Sequence, residues 1–196
     1  MQFTYLFPTF FAEEQIDVDN AKIEQYCYQR KAIDSGVEMS NVGGWHSEFF
    51  NPWIPELNEL TTIVKTKLEE VSDIIDYGVK AEIHKCFINI SKKGDSHTIH
   101  DHPGSFLSAV YYVNTDLSRG NIVFHNDNRL IEWNQDSKKI KNFNALNCSS
   151  WTVMGSTGKL IIFPAWLKHQ VTVNNTDKDR ISIVYNCPIE KNNLLG

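Results

Sequence analysis

The sequence predicts a mainly β protein, a jelly-roll barrel backed by two N-terminal helices. Eight short segments rich in β-branched and apolar residues follow one another in the later part of the chain, separated by turn-forming residues. Two stretches with helical periodicity precede them. Because 196 residues suit one domain with a sizeable core, we expect a single domain over 1–196, with helical support in 1–78 and the jelly-roll core in 79–190.

The first helix should begin after Asp19, whose carboxylate can cap a helix, and should stop before Gly36. The second helix should follow Pro52 and Pro55 and end near Gly78. Its apolar residues recur on one stripe, Leu57, Leu60, Val64, Leu68, Val71 and Ile75. This stripe predicts a helix that packs on one sheet of the barrel.

The N-terminal stretch Phe3–Phe11 alternates weakly and contains Pro8, which is typical of a short edge strand or of an extended arm laid on the barrel. The first barrel strand should be long and cover Val79–Ser91. Shorter strands are then expected at about 97–102, 106–113, 120–125, 150–154, 158–163, 168–174 and 179–187.

Two segments interrupt this pattern. Ser40–Ser47 contains Gly43 and Gly44, which permit unusual backbone conformations, so it is either a lid over a pocket or a tight turn with a buried Trp45. The second segment, Asn126–Asn147, is long and polar, with Arg129, Trp133 and Phe143 scattered through it. Since loops of this length in compact domains often bind ligands, we expect substrate specificity to reside there and around Trp45.

Composition excludes several classes of protein. The net charge of -5 disfavours nucleic-acid binding, which needs clustered cations. The four cysteines are widely spaced, without a zinc or redox pattern. The N-terminus lacks a secretory signal, and no apolar run approaches the roughly 18 residues of a membrane helix, so we expect a cytoplasmic protein with no membrane partner.

Three of the chain's seven histidines, His97, His100 and His102, fall within six residues. On an extended strand, residues two apart project from one face, so the imidazoles of His100 and His102 can converge on one ion. Taken alone, a His-x-His pair is more often a solvated loop that binds nothing. However, His169 follows an apolar strand far downstream, and Arg180 comes eleven residues later. This order favours a metal site.

A close ligand pair, a distant histidine and a later arginine resemble the double-stranded β-helix, cupin-like oxygenases that use Fe(II) and 2-oxoglutarate. The chain is similar from end to end to one family of such oxygenases found in marine bacteria and their phages; a phage-encoded member would act in the host cytoplasm. The motifs that carry this similarity are Leu6-Phe-Pro, Ser40-Asn-Val-Gly-Gly-Trp-His-Ser47, His100-x-His-Pro, Val110-Tyr-Tyr, Phe163-Pro-Ala-Trp-Leu-x-His169 and Arg180-Ile-Ser.

The resemblance implies that His100, His102 and His169 hold Fe(II), and that Arg180 pairs with the far carboxylate of 2-oxoglutarate, which its planar guanidinium suits. Further candidates for binding this cofactor are Tyr112, Ser182, Ser108, Asn89 and Asn186, although buried asparagines that satisfy backbone groups explain the last two equally well. The implied activity is hydroxylation of a C–H bond in a small molecule or protein side chain, with release of succinate and CO₂.

One departure from the wider superfamily concerns its carboxylate ligand, because His102 occupies that slot here. Asp101 should point the opposite way on a regular strand, although a bulge could turn it inward. Two alternatives therefore stay open: a three-histidine oxygenase that does not use 2-oxoglutarate, and a non-catalytic jelly roll that binds a metal or a sugar. His97 is expected beside the site or in solvent, and His125 at the surface.

Overall fold

A computed structural model describes residues 7–77, 80–127 and 136–188, together with residues 1, 2 and 4. Within these residues lie two helices, α1 (Asn20–Ile33) and α2 (Asn58–Ile74). The strands of the same residues are β1 (Ala12–Gln15), β2 (Asn41–Val42), β3 (Trp45–His46), β4 (Lys85–Ser91), β5 (Ser96–His100), β6 (Ser105–Asn114), β7 (Ile122–His125), β8 (Ser150–Val153), β9 (Lys159–Pro164), β10 (His169–Val171) and β11 (Arg180–Pro188).

The strands form two antiparallel sheets that face each other. The larger sheet has the order β1-β9-β6-β11-β4-β3, and the smaller has the order β2-β5-β10-β7-β8. The eight strands from β4 to β11 cross between the sheets in the order of a double-stranded β-helix, which confirms the predicted fold. All eight predicted barrel strands are present, but some are shorter than predicted. The strand expected over 79–91 begins only at Lys85, with residues 80–84 outside any strand and residue 79 outside the described residues. The strand expected at 97–102 ends at His100, and the one expected at 168–174 is only three residues long. The single-domain boundaries stay a prediction.

Both helices pack on the outer face of the larger sheet. The carboxylate of Asp19 accepts a hydrogen bond from the backbone of Lys22 at 3.1 Å and so caps α1, as expected. The predicted apolar stripe of α2 is buried against this sheet, with Leu60, Val64 and Leu68 almost inaccessible to solvent. After α2, Asp76 adopts a left-handed conformation with φ of 54°, which ends the helix shortly before the expected position.

The inner face of the larger sheet is organised in rows that run across β4, β11 and β6. Four successive inward rows are Ser91–Arg180, then Asn89–Ser182–Tyr112, then Phe87–Val184–Val110, then Lys85–Asn186–Ser108. Polar groups therefore fill the first two rows, and an apolar row separates them from the last. This layering places the polar groups around Arg180 at one end of the interior, separated by the apolar row from the polar groups of the last row.

The N-terminal stretch 7–11 contains no strand and lies along the barrel as an extended arm. Phe10 packs against the core between the helices and the larger sheet, and Phe11 stacks on Phe124 with ring centroids 5.7 Å apart. The edge strand of the larger sheet is instead β1, which pairs with β9. Residues 3, 5 and 6, including the leucine of the Leu6-Phe-Pro motif, lie outside the described residues.

Other expectations concern the loop after β7, the cysteines and the membrane. In the predicted loop 126–147, residues 136–147 are mostly exposed around a short 3₁₀ helix, Ser137–Lys139, while Arg129 and Trp133 lie outside the described residues. Cys27, Cys86 and Cys148 are free thiols. Neither of the two described helices is long and apolar enough to cross a membrane.

Candidate active site

Three histidines converge between the two sheets, at the ends of neighbouring strands. His100 ends β5, His169 begins β10 directly opposite it, and His102 follows β5 on the connection to β6. One ring nitrogen from each histidine lies within 4.8 Å of the others. The Nε2 atoms of His102 and His169 are 3.3 Å apart, close to the roughly 3.0 Å expected for two nitrogens held ~2.1 Å from one ion at right angles.

The backbone holds two of these rings in the orientation that a metal ligand needs. The Nδ1 atom of His100 lies 2.7 Å from the carbonyl oxygen of Thr98, and the Nδ1 atom of His169 lies 2.9 Å from that of Leu167. Because a carbonyl only accepts, each Nδ1 carries the proton and donates it, which leaves a lone pair on Nε2. The nitrogen donors therefore fit a divalent transition metal such as Fe(II).

Burial keeps the three rings neutral. It lowers the pKa of His102 to about 3, helped by repulsion from His169 and His100. Burial also lowers the pKa of His169 to about 3, with His100 as the next cause, and it lowers the pKa of His100 itself. Neutral imidazoles are the form that binds metal, so protons compete weakly for this site.

His102, rather than Asp101, belongs to this cluster. Asp101 is exposed and is not among the grouped ligands, whereas His102 contacts Phe87 and Phe163 inside the barrel. The bulge considered for turning Asp101 inward is absent at this residue. The described residues thus offer three neutral nitrogens and no carboxylate at the cluster.

Arg180 lies at the polar end of the same pocket and is 2% exposed. Its Nη2 donates to the hydroxyl of Ser91 at 2.9 Å, while its Nε and Nη1 have no hydrogen-bond partner among the described residues. Behind it, Gly120 has φ of 92°, and a methyl group there would lie 2.7 Å from Nη1. A buried cation with two unsatisfied donors fits a carboxylate ligand, the chemistry of one end of 2-oxoglutarate.

Tyr112, Ser182 and Asn89 form the polar row next to Arg180, and all three line the pocket. Burial raises the pKa of Tyr112 to about 12, although Arg180 acts in the opposite direction. Its hydroxyl is therefore protonated and able to donate. The neighbouring Tyr111 faces the other way, and its hydroxyl donates to Asn20 on α1 at 2.8 Å. The strand alternation proposed from the sequence places these two tyrosines correctly.

Ser108 and Asn186 share this inward face but lie two rows away. The Ser108 hydroxyl donates to the Asn186 side chain at 2.9 Å, and neither residue lines the pocket. Asn186 lies four positions after Ser182 on β11, which corresponds to about 13 Å along the strand. Because the histidines lie near the intervening row, these two residues are remote from Arg180, and we do not retain them as candidates for binding the far carboxylate.

The sequence left His97 open between a position beside the site and one in solvent. The structure places it beside the site: it is buried, lines the pocket, and has its Nδ1 3.2 Å from the hydroxyl of Ser40. A bulge turns it inward: in the pairing of β5 with β10, His97 lies opposite Val171 and His100 opposite His169, so β5 contains one extra residue. Strict alternation from His100 would have turned His97 outward, and a bulge gives no clear signal in a single sequence.

The segment 40–46 bridges the two sheets beside this pocket. Its β2 pairs with β5 in the smaller sheet, and its β3 pairs with β4 in the larger sheet. Trp45 is buried and donates to the carbonyl of Asp34 at 3.0 Å, as in the tight-turn alternative, whereas Ser40 lines the pocket. His46 stacks on Phe87 with centroids 4.2 Å apart, and burial lowers its pKa.

His125 also departs from expectation, because its Nε2 is buried and has no partner among the described residues. It does not line the pocket.

A model of the family described as "Putative 2OG-Fe(II) oxygenase" matches residues 85–186 of the chain. The match covers more than half of the sequence and includes all three clustered histidines and Arg180. The chain belongs to this family of 2OG-Fe(II) oxygenases. A comparison with curated proteins finds no significant match.

Solved oxygenase structures share the fold at low sequence identity. A prolyl-4-hydroxylase from Pseudomonas putida is 12% identical, with a TM-score of 0.66 over 92% of this chain and 94% of that chain. HygX from Streptomyces hygroscopicus, with nickel, 2-oxoglutarate and hygromycin B bound, is 10% identical, with a TM-score of 0.63 over 93% and 84%. The viral collagen prolyl hydroxylase of Paramecium Bursaria Chlorella virus-1, in complex with 2-oxoglutarate, is 10% identical, with a TM-score of 0.56 over 90% and 94%.

Membership of the 2OG-Fe(II) oxygenase family confirms the predicted class of enzyme and the predicted cofactors, Fe(II) and 2-oxoglutarate. The assignment of individual residues to these cofactors stays a prediction.

Proposed function

We propose that this chain is a 2-oxoglutarate-dependent dioxygenase in which His100, His102 and His169 bind Fe(II). The observation that carries the proposal is that one pocket contains both the cluster of three imidazoles and the unsatisfied guanidinium of Arg180. A metal ion alone would explain the cluster of imidazoles but not the buried guanidinium. A ligand that binds the metal at one end and carries a carboxylate at the other explains both.

2-Oxoglutarate matches this arrangement because it has a keto-acid end for the metal and a second carboxylate for Arg180. Nε and Nη1 of Arg180 are free to donate to that carboxylate, and Tyr112 and Ser182 supply hydroxyls in the adjacent row. When bound, Fe(II) and 2-oxoglutarate supply the oxidative decarboxylation, to succinate and CO₂, that drives hydroxylation of a C–H bond.

The charge of the pocket also favours a dianionic ligand. The three histidines are neutral, and no carboxylate of the described residues forms an ion pair with Arg180. A divalent ion plus Arg180 brings three positive charges into a largely buried site. The two carboxylates of 2-oxoglutarate offset most of this charge, which three imidazoles cannot do.

Aromatic rings exclude water from the metal end of the pocket. Phe163 packs edge-on against His169 with centroids 4.8 Å apart, and Phe124 and Phe87 lie near the same cluster. A dry surrounding strengthens the electrostatic interactions of bound ligands and limits side reactions. The role of these residues is therefore to position reactants and keep solvent away.

The alternative of a three-histidine oxygenase without 2-oxoglutarate accounts for the metal ligands but leaves Arg180 with only a structural salt bridge. The described residues offer no such bridge, since the contact of this guanidinium is the Ser91 hydroxyl. The unsatisfied donors of Arg180 thus favour the 2-oxoglutarate mechanism.

The substrate class that we propose is a small molecule or a protein side chain. We further propose that the enzyme acts in the cytoplasm, in keeping with the free thiols of Cys27, Cys86 and Cys148. Residues around Trp45 and the loop 126–147 are the regions in which we expect substrate contacts.

The test is anaerobic titration of 2-oxoglutarate into the Fe(II)-loaded protein, followed by measurement of succinate after O₂ is admitted. Saturable binding and succinate formation are expected. Iron-dependent O₂ uptake without either would support the three-histidine alternative. Tight zinc binding with no O₂ uptake would support a non-catalytic jelly roll.

A further inference from the structure

The bulge in β5 brings a fourth histidine into the pocket. Its extra residue changes the phase of the strand, so His97 and His100 both face inward although they are three positions apart in the sequence. The residues within the bulge, Thr98 and Ile99, are exposed. This bulge buries the polar ring of His97 and exposes the apolar side chain of Ile99, which is unfavourable for packing. The buried ring therefore has a role other than packing.

The surroundings of His97 fix which edge of the ring meets the pocket. Ser40 lies 3.2 Å from Nδ1, and a serine hydroxyl can donate to that nitrogen when the proton is on Nε2. Burial lowers the pKa of His97 well below its usual value, and Arg180 is the next cause. The ring is therefore neutral, and Arg180 is close enough to influence it.

We propose that His97, oriented by Ser40, is a further binding residue for 2-oxoglutarate and donates its Nε2 proton to the carboxylate that Arg180 holds. The inference rests on the proposed function of the pocket. The geometry behind it is that three kinds of donor line one pocket, the Arg180 guanidinium, the Tyr112 hydroxyl and the imidazole of His97, and that Arg180 lies close enough to the other two to interact with them electrostatically. Several donors in one pocket with a guanidinium favour a bound anion.

The contact between Ser40 and His97 also connects the bridging segment to the proposed carboxylate site. It belongs to the bridging segment that joins the two sheets, whereas His97 belongs to β5, three residues from His100. A carboxylate bound to His97 would therefore be held indirectly by the segment that we expect to contact substrate.

The experiment is anaerobic titration of 2-oxoglutarate into the Fe(II)-loaded full-length protein, with Fe(II) affinity measured separately in the absence of 2-oxoglutarate. His97→Leu should weaken 2-oxoglutarate binding about 10- to 100-fold, the effect of losing a hydrogen bond to a charged group. His97→Gln can place an amide N–H near the position of Nε2 and should recover part of the loss. Ser40→Ala should weaken binding by only a few-fold, because the ring stays but loses its orientation.

Ile99→Ala is the matched control, since it changes an exposed side chain in the same bulge. It should leave both affinities unchanged. A second measurement compares 2-oxoglutarate with the diacid that is one carbon longer, 2-oxoadipate. His97→Ala should shift the preference towards the longer acid, because it removes the ring from the end of the pocket.

The outcomes separate this inference from the function on which it rests. Weak 2-oxoglutarate binding in His97→Leu with normal Fe(II) affinity supports the inference. Equal 2-oxoglutarate affinity in wild type and His97→Leu overturns it while the proposed function stands. A parallel loss of Fe(II) affinity would assign His97 to the metal site and also overturn it. No 2-oxoglutarate binding by the wild type would overturn the proposed function itself, and the inference with it.

Discussion

Replacing Arg180 with alanine separates binding of 2-oxoglutarate from binding of the metal. Among the described residues, the guanidinium of Arg180 has one hydrogen-bond partner, Ser91, and its Nε and Nη1 are buried donors with none. Its removal should therefore change the free energy of unfolding by no more than about 1 kcal/mol, because the lost hydrogen bond is offset by relief of an uncompensated buried charge.

The effect on 2-oxoglutarate binding should be much larger. Truncating one partner of a buried charge pair costs about 2–5 kcal/mol, and two charge-assisted hydrogen bonds lie within that range. A value of about 3 kcal/mol corresponds to a dissociation constant raised by roughly 100-fold. Arg180→Lys should recover only part of this affinity, since an ammonium group lacks the planar fork.

The assay is thermal unfolding of the metal-loaded protein with increasing 2-oxoglutarate under anaerobic conditions, together with direct titration. Wild type should be stabilised as 2-oxoglutarate saturates it, whereas Arg180→Ala should show almost no shift. The control is Arg30→Ala, which removes an ion pair with Asp34 and a contact over the Phe50 ring at a site on α1. It should lower stability slightly and leave 2-oxoglutarate affinity unchanged. If Arg180→Ala binds 2-oxoglutarate as tightly as wild type, the reasoning is refuted.

Four further predictions follow from the same pocket. Tyr112→Phe should weaken 2-oxoglutarate binding about tenfold, the effect of a lost hydrogen bond to a charged group. Tyr111→Phe should leave this affinity unchanged. A larger loss of affinity in Tyr111→Phe than in Tyr112→Phe, measured by titration, would contradict the strand register. His102→Ala should abolish tight Fe(II) binding while Asp101→Ala should retain it, as measured by metal titration, and equal losses would argue for Asp101 as a ligand. Because the pKa of His102 and of His169 is about 3, Fe(II) affinity should fall little between pH 7 and pH 5, and a steep loss near pH 6.5 would show that the rings titrate as exposed histidines. The cofactor-free protein should lose stability as pH falls from about 6.5 towards about 3, since the unfolded chain then binds protons that these buried rings exclude.

Periodicity in the sequence was sufficient for the barrel strands and for the faces of many residues. The opposition of Tyr111 and Tyr112 and the inward position of Ser182 follow from a period of two. His100 and His102 converge as predicted, but His102 lies beyond the end of β5, so strand alternation is not the reason. The roles of the distant His169 and Arg180 came from the family resemblance, because spacing alone does not reveal which strands are neighbours.

Periodicity could not show how far along a strand an inward residue lies. Nor could it show where a bulge shifts the alternation of inward and outward residues. Ser108 and Asn186 were assigned to the correct face, but they lie two rows from Tyr112, and only the register between β6 and β11 reveals that distance. His97 was left open between the site and solvent. One extra residue in β5 changes the face of the sheet to which its side chain points. The bulge depends on how β5 pairs with β10, which is a property of the folded sheet rather than of local sequence.

The short strand β10 has a consequence for the dynamics of the protein. It is only three residues long, yet it lies between β5 and β7, and its first residue, His169, faces His100 directly across the sheet. An ion shared by these two rings would act as a cross-strand link at the shortest of the eight strands from β4 to β11. Amide hydrogens of β10 should then exchange faster with solvent in the metal-free protein than in the metal-loaded one, while those of the long central strand β11 should change little.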